Sequence, residues 1–248
     1  MLENSSTLGV MAILGLGLVF GLKHATEVDH VVAITTIVSR HKNVFRSASV
    51  GALWGAGHTL SLMAIAVVVL WFRIAIPERV SGWLEFGVAL MIIALGVSAL
   101  WRALRKDSQM HVHRHTHDGL SHTHVHFHEQ ETKHESSSPS QHSHRVSRIG
   151  WKPLMVGMMH GLAGSGALTL LVLTQISSLW VGLLYVLTFG FGSIAGMLLM
   201  SGLIGLPFAL TSSKLSHAHQ GLQTVAAILS ICFGIWYAWK VGAAVFMF

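Results

Sequence analysis

Lys23-His24-Ala25-Thr26-Glu27-Val28-Asp29-His30 stands in the middle of an apolar run from Leu8 to Val38. As a helix that run would be about 46 Å long at 1.5 Å per residue. Two histidines and two carboxylates are therefore set near the centre of a segment long enough to cross a bilayer. Each acidic group at that depth costs roughly 2.5–3.5 kcal/mol to insert. Together they ask for about 5–7 kcal/mol of compensation, which a bound divalent cation or a cationic partner such as Lys23 could supply. A purely structural role does not need so costly a cluster.

The rest of the chain agrees with a membrane setting. Hydrophobic residues make up 52% of the 248 positions and charged residues only 10%, with a mean hydropathy of +0.60. A soluble chain carries about 25% charged residues. The net charge of +6 does not point to nucleic acid, because the basic residues fall almost entirely between apolar runs. Cys232 is the only cysteine, which excludes an intramolecular disulfide. The N-terminus carries Glu3 and no basic residue ahead of its apolar run, so it reads as a retained span and not as a signal peptide.

Six apolar segments run over about 8–39, 46–72, 84–104, 152–175, 179–206 and 219–245. The connection after the first carries Arg40, Lys42 and Arg46. The third carries Arg102, Arg105, Lys106, Arg114, Lys133, Arg145, Arg148 and Lys152, and the fifth Lys214. The N-terminal tail has no Lys or Arg, and the second connection balances Arg73 and Arg79 against Glu78 and Glu85. The positive-inside rule places both termini outside a cytoplasmic membrane and the odd-numbered loops in the cytoplasm.

A weak repeat links the halves. Gly21-Leu22-Lys23-His24 resembles Gly157-Met158-Met159-His160, and Gly55-Ala56-Gly57-His58 resembles Gly190-Phe191-Gly192-Ser193. The expected fold is an all-α integral membrane protein of about six transmembrane helices, arranged as a 3+3 inverted repeat with a site at its midplane. Chance likeness among membrane glycines is the alternative. The expected divisions are 1–104, a first three-helix half; 105–149, a His-rich cytoplasmic loop disordered without metal; and 150–248, a second three-helix half.

The loop holds eleven of the eighteen histidines and little that could build a core. His111, His113, His115 and His117 alternate, as do His122, His124, His126 and His128. In an extended chain alternate side chains share a face, so neighbouring imidazoles could grip a nickel, copper, zinc or cobalt ion. A solvated linker is the plainer reading. Outside it, His41, His217 and His219 belong to other cytoplasmic loops. Only His24, His30, His58 and His160 lie within spans.

On a regular helix His24, Glu27 and His30 fall within an arc of about 120°. Asp29 would lie about 100° from His30 and 140° from His24. It then pairs with Lys23, orients a ligand imidazole, or sits on an unwound segment lining an enclosed cavity. For His58 and His160, each among glycines, hydrogen bonding across packed helices competes with a ligand role.

His24-Ala25-Thr26-Glu27-Val28-Asp29-His30 fits the H-x4-D-H signature of the nickel/cobalt transporter family, whose usual form resembles H-A-x-D-x-D-H. Glu27 stands at the first acidic position. Gly57-His58-Thr59 is similar to that family's glycine–histidine motif. The likeness covers mainly the first two spans, about a quarter of the chain. Larger members have eight spans with the signature in the second; here it falls in the first. The chain thus resembles the short six-span branch, similar to permeases associated with urease maturation. A histidine-rich cytoplasmic loop also occurs in the family's exporters, so the resemblance leaves direction open.

The resulting expectation is secondary transport of Ni²⁺, or Co²⁺, across the cytoplasmic membrane, most simply uptake. His24 and His30 act as direct ligands, Asp29 and Glu27 supply charge and further ligation, and His58 and His160 complete the site. Zinc suits the same nitrogen and oxygen donors. The cation is cargo and no cofactor is expected. The other partners are the lipid bilayer and a cytoplasmic nickel chaperone, and nucleic acid is not one of them. Efflux through the same site and a membrane-anchored metal sensor or store are the alternatives. A metalloenzyme is disfavoured, since neither an H-E-x-x-H spacing nor a nucleophile–base arrangement is present, and no nucleotide-binding loop suggests ATP hydrolysis.

Overall fold

A computed structural model describes residues 2–74, 76–105, 110–117, 120–127, 150–163, 178–211 and 216–246. Its helices are α1 (Leu2–His24), α2 (Val28–Val38), α3 (Val44–Phe72), α4 (Glu78–Arg105), α5 (Lys152–Leu162), α6 (Leu179–Thr211) and α7 (Ser216–Phe246), with strands β1 (Met110–His117) and β2 (Leu120–Phe127) between α4 and α5.

Among the described residues four helices, α3, α4, α6 and α7, are long and apolar enough to cross a membrane, and α1 and α2, bent by 55° at their break, make a fifth if the pair is one span. Of the expected fourth span, 152–175, only the part to Ala163 lies among the described residues. Exposed tryptophans mark both ends of the bundle: Trp71, Trp83, Trp180 and Trp239 at one end, Trp101 and Trp151 at the other. Such girdles sit at the two membrane–water interfaces. The protein is a multi-pass helical membrane protein.

Local chemistry sets the ends of these elements. The Asn43 side chain accepts from the backbone N–H of Phe45 at 2.8 Å and Arg46 at 3.3 Å, capping α3. Arg73 ends α3 in the left-handed conformation at φ 52°. Pro153 stands in the first turn of α5, where its missing N–H costs nothing.

The first span is broken at the motif. After His24 the chain tightens through Thr26 N–H to Lys23 O (2.9 Å) and Glu27 N–H to His24 O (3.1 Å). The Thr26 hydroxyl donates to Lys23 O at 2.6 Å, competing for a carbonyl that the helix would use. Glu27 is extended (φ −63°, ψ 146°) and the helix restarts at Val28. Asp29 falls in the first turn of α2, where the helix dipole favours a carboxylate.

α3 and α6 form the central packed pair. α1 lies on α6, α5 on α3, α4 on α7, and α2 touches α4, α6 and α7. These contacts come in reciprocal sets. A Cβ on Gly21 would strike the carbonyl of Phe189, and one on Gly157 the carbonyl of Trp54. One on Gly57 would strike Leu154 O, and one on Gly192 Leu18 O. Helix backbones approach this closely only where a side chain is lacking.

The connection at 105–149, expected to lack order without metal, contains the antiparallel pair β1–β2. Alternation of histidine with Val, Thr, Arg and Ser is the period of a strand. The two residues between the strands, Asp118 and Gly119, are a pair that hairpin turns favour. The register sets His111 opposite His126, His113 opposite His124 and His115 opposite His122. His117 is paired with Leu120, and His128 lies outside the described residues.

Candidate metal centre

The break between α1 and α2 brings together all six intramembrane residues singled out in the sequence. His24 comes from the last turn of α1, Glu27 from the break, Asp29 and His30 from α2, His58 from α3 and His160 from α5. The four imidazoles are buried, none more than 3% exposed. The centroid of the His30 ring lies 4.4 Å from His24, 5.3 Å from His58 and 4.2 Å from His160. The two glycine-flanked histidines do hydrogen-bond across helices, each to a residue of the motif.

Two chains of bonds run through the centre. Glu27 Oε1 lies 3.0 Å from His24 Nδ1, and His24 Nε2 lies 3.0 Å from His58 Nε2. Asp29 uses both oxygens: Oδ1 accepts from His30 Nδ1 at 3.1 Å and Oδ2 from His160 Nε2 at 2.8 Å. Of the readings open for Asp29, imidazole orientation describes it; the unwound residues are Ala25–Glu27, just before α2, and Lys23 is not its partner.

These bonds assign the neutral tautomers. A carboxylate only accepts, so His24 Nδ1, His30 Nδ1 and His160 Nε2 carry the protons. His24 Nε2 is then bare and takes its bond from His58 Nε2–H. The nitrogens left with a lone pair are His30 Nε2, His58 Nδ1 and His160 Nδ1. The same three atoms are buried without a hydrogen-bond partner among the described residues. An unmet buried polar atom costs about 1–3 kcal/mol, so three ask for roughly 3–9 kcal/mol from something that accepts lone pairs.

Among the described residues two groups have ligand atoms lying within 4.8 Å of one another: His24, His30 and His58, and Asp29, His30 and His160. Metal–nitrogen bonds of about 2.0–2.1 Å require only modest closure from there. His30 belongs to both groups. Two carboxylates beside neutral imidazoles match the charge of a dication, and the nitrogen–oxygen donor set suits nickel, cobalt or zinc.

Sequence reading missed the walls of the centre. Trp54 is 1% exposed, stacks on His30 with ring centroids 5.4 Å apart, and meets His160 edge-on at 5.5 Å. Its position one turn before His58 was the available signal. Phe189 closes on His24 at 5.4 Å, a contact no local pattern announces.

Fold and site together define a helical multi-pass membrane protein with a buried histidine–carboxylate centre at a helix break. The chain is 36% identical over 233 residues, 94% of its length and 93% of the relative's, to the urease accessory protein UreH of Bacillus sp. (strain TB-90). It belongs to that family of urease accessory proteins. The kinship agrees with the urease-associated branch that the motif resembles, and it is to an accessory protein, not to an enzyme. No family model matches the chain, and no solved structure does.

Proposed function

We propose that this protein carries Ni²⁺ inward across the cytoplasmic membrane, with Co²⁺ as the alternative cargo, through the His24–Glu27–Asp29–His30–His58–His160 centre. The observation that carries the reading is the set of three bare, buried imidazole nitrogens at a helix break, flanked by two carboxylates. A structural hydrogen-bond network would leave fewer acceptors unused. The relative's role as a urease accessory protein and the nickel/cobalt signature favour nickel among the ions that such donors accept. A membrane potential assists an entering dication by about 4.6 kcal/mol per 100 mV.

Six spans in two inverted three-helix halves complete the proposal. The reciprocal contacts support it: Gly21 on Phe189 mirrors Gly157 on Trp54, and Gly57 on Leu154 mirrors Gly192 on Leu18. Such a repeat sets a midplane site between rocking halves. The basic loops put both termini outside. The histidine hairpin then lies in the cytoplasm, where it receives metal, or senses it and limits uptake, before a nickel chaperone.

Radio-nickel flux into proteoliposomes of known orientation tests this, with His24→Ala and Asp29→Asn beside the parent. We expect each variant to lose at least tenfold of the flux. Parental rates in both would remove the site assignment, and flux only in the opposite sense would make the protein an exporter.

A further inference from the structure

The metal centre borders a cavity. Glu27, Asp29 and His160 line a cavity of about 500 Å³, whereas His24, His30 and His58 do not. The same cavity is lined by three polar residues outside the motif: Glu85 of α4, and Tyr237 and Lys240 of α7. His160 is 2% exposed, and its Nδ1 has no partner among the described residues. His160 therefore links the cavity lining to the buried centre.

Glu85 is held in place. The Ser81 hydroxyl reaches its Oε1 at 3.5 Å, and Tyr237 lines the same cavity. Glu85, Asp29 and Lys240 line one cavity. The Lys240 ammonium lies over the Trp236 ring at 5.4 Å, an arrangement that keeps a cation available without a direct ion pair. All of this is at the end of α4 away from Arg102 and Arg105. A dication with six waters needs roughly 200 Å³ at about 30 Å³ per water, so a hydrated ion fits the cavity.

We propose that Glu85, positioned by Ser81, is a receiving station where a hydrated divalent cation waits before losing water to Asp29 and His160, and that Lys240 is the resident positive charge it displaces. The proposal rests on the transport reading above. A small, strongly hydrated ion is first held through its waters by an outer carboxylate, then stripped by inner nitrogens that cannot reach it until it moves. Lys240 raises the concentration at which that first step occurs, because the ammonium and the dication compete for the same field.

The test is the initial rate of radio-nickel flux against Ni²⁺ concentration in proteoliposomes of the full chain. The variants are Glu85→Gln, Glu85→Asp and Lys240→Gln. Glu85→Gln should raise KM about five- to tenfold, with its effect falling on KM more than on the maximal rate. Glu85→Asp should recover most of that loss, and Lys240→Gln should lower KM two- to threefold. A merely structural role cannot give opposite signs at two residues lining one cavity. If Glu85→Gln keeps the parental KM, or Lys240→Gln raises KM as Glu85→Gln does, the station is refuted while the transport reading stands. A parent that carries no nickel refutes both.

Discussion

His160 Nε2 donates to Asp29 Oδ2 at 2.8 Å across 131 positions of sequence. That bond joins α5 to the break in the first span, and it leaves His160 Nδ1 bare. With His30 Nδ1 on its other oxygen, Asp29 orients two imidazoles at once, as a carboxylate behind a ligand histidine does.

Asp29→Asn is therefore expected to lower Ni²⁺ affinity about 10- to 100-fold. An asparagine has one acceptor oxygen for two imidazole donors, so either His30 or His160 must turn or change tautomer. Calorimetric titration of the purified protein measures the loss. Parental affinity would mean that neither imidazole is positioned by Asp29.

The two candidate ligand groups share His30, so the centre should hold one ion at a time. A protein lacking residues 105–149 should saturate at one Ni²⁺ per chain in equilibrium dialysis. Saturation at two would show that the groups work as separate sites.

On the hairpin, His113 and His124 are directly opposite. If a metal ion bridges the strands, removing either histidine loses the site. In the full chain His113→Ala, His124→Ala and the double variant should then lose the same increment of bound Ni²⁺. Additive losses would mean that each histidine binds alone. Flux should persist, with altered KM, when 105–149 is deleted.

Helix contact makes a fourth prediction. Gly157→Ala sets a methyl against the Trp54 backbone, which cannot swing aside, whereas nothing lies within 4 Å of a Cβ at Gly15. Gly157→Ala should cost about 1–3 kcal/mol of stability, and Gly15→Ala within about 0.5 kcal/mol of none. Thermal unfolding in detergent compares them. Equal melting of the two would dismiss the close approach.

Much of the centre was legible because polar groups are costly in an apolar span and stand out against it. His24, Glu27, Asp29, His30, His58 and His160 could be picked out by that contrast alone. What the pattern could not say was how they meet. A regular helix would have turned Asp29 away from His24, and only the break at Ala25–Glu27 lets carboxylates and imidazoles of α1, α2, α3 and α5 share bonds. Glu85, Tyr237 and Lys240 were invisible for another reason: near the end of a span a polar residue is ordinary, and its meaning comes from the cavity it lines.

Composition and spacing thus determined the membrane setting, the donor chemistry and the strand period of the histidine loop, since each depends on residue type and local repeat. The tertiary structure decided which nitrogens are left bare, which residues wall the centre and which line the cavity beside it. Those depend on close approach between separate helices, from 34 positions apart for His24 and His58 to 131 for Asp29 and His160, which local sequence does not encode.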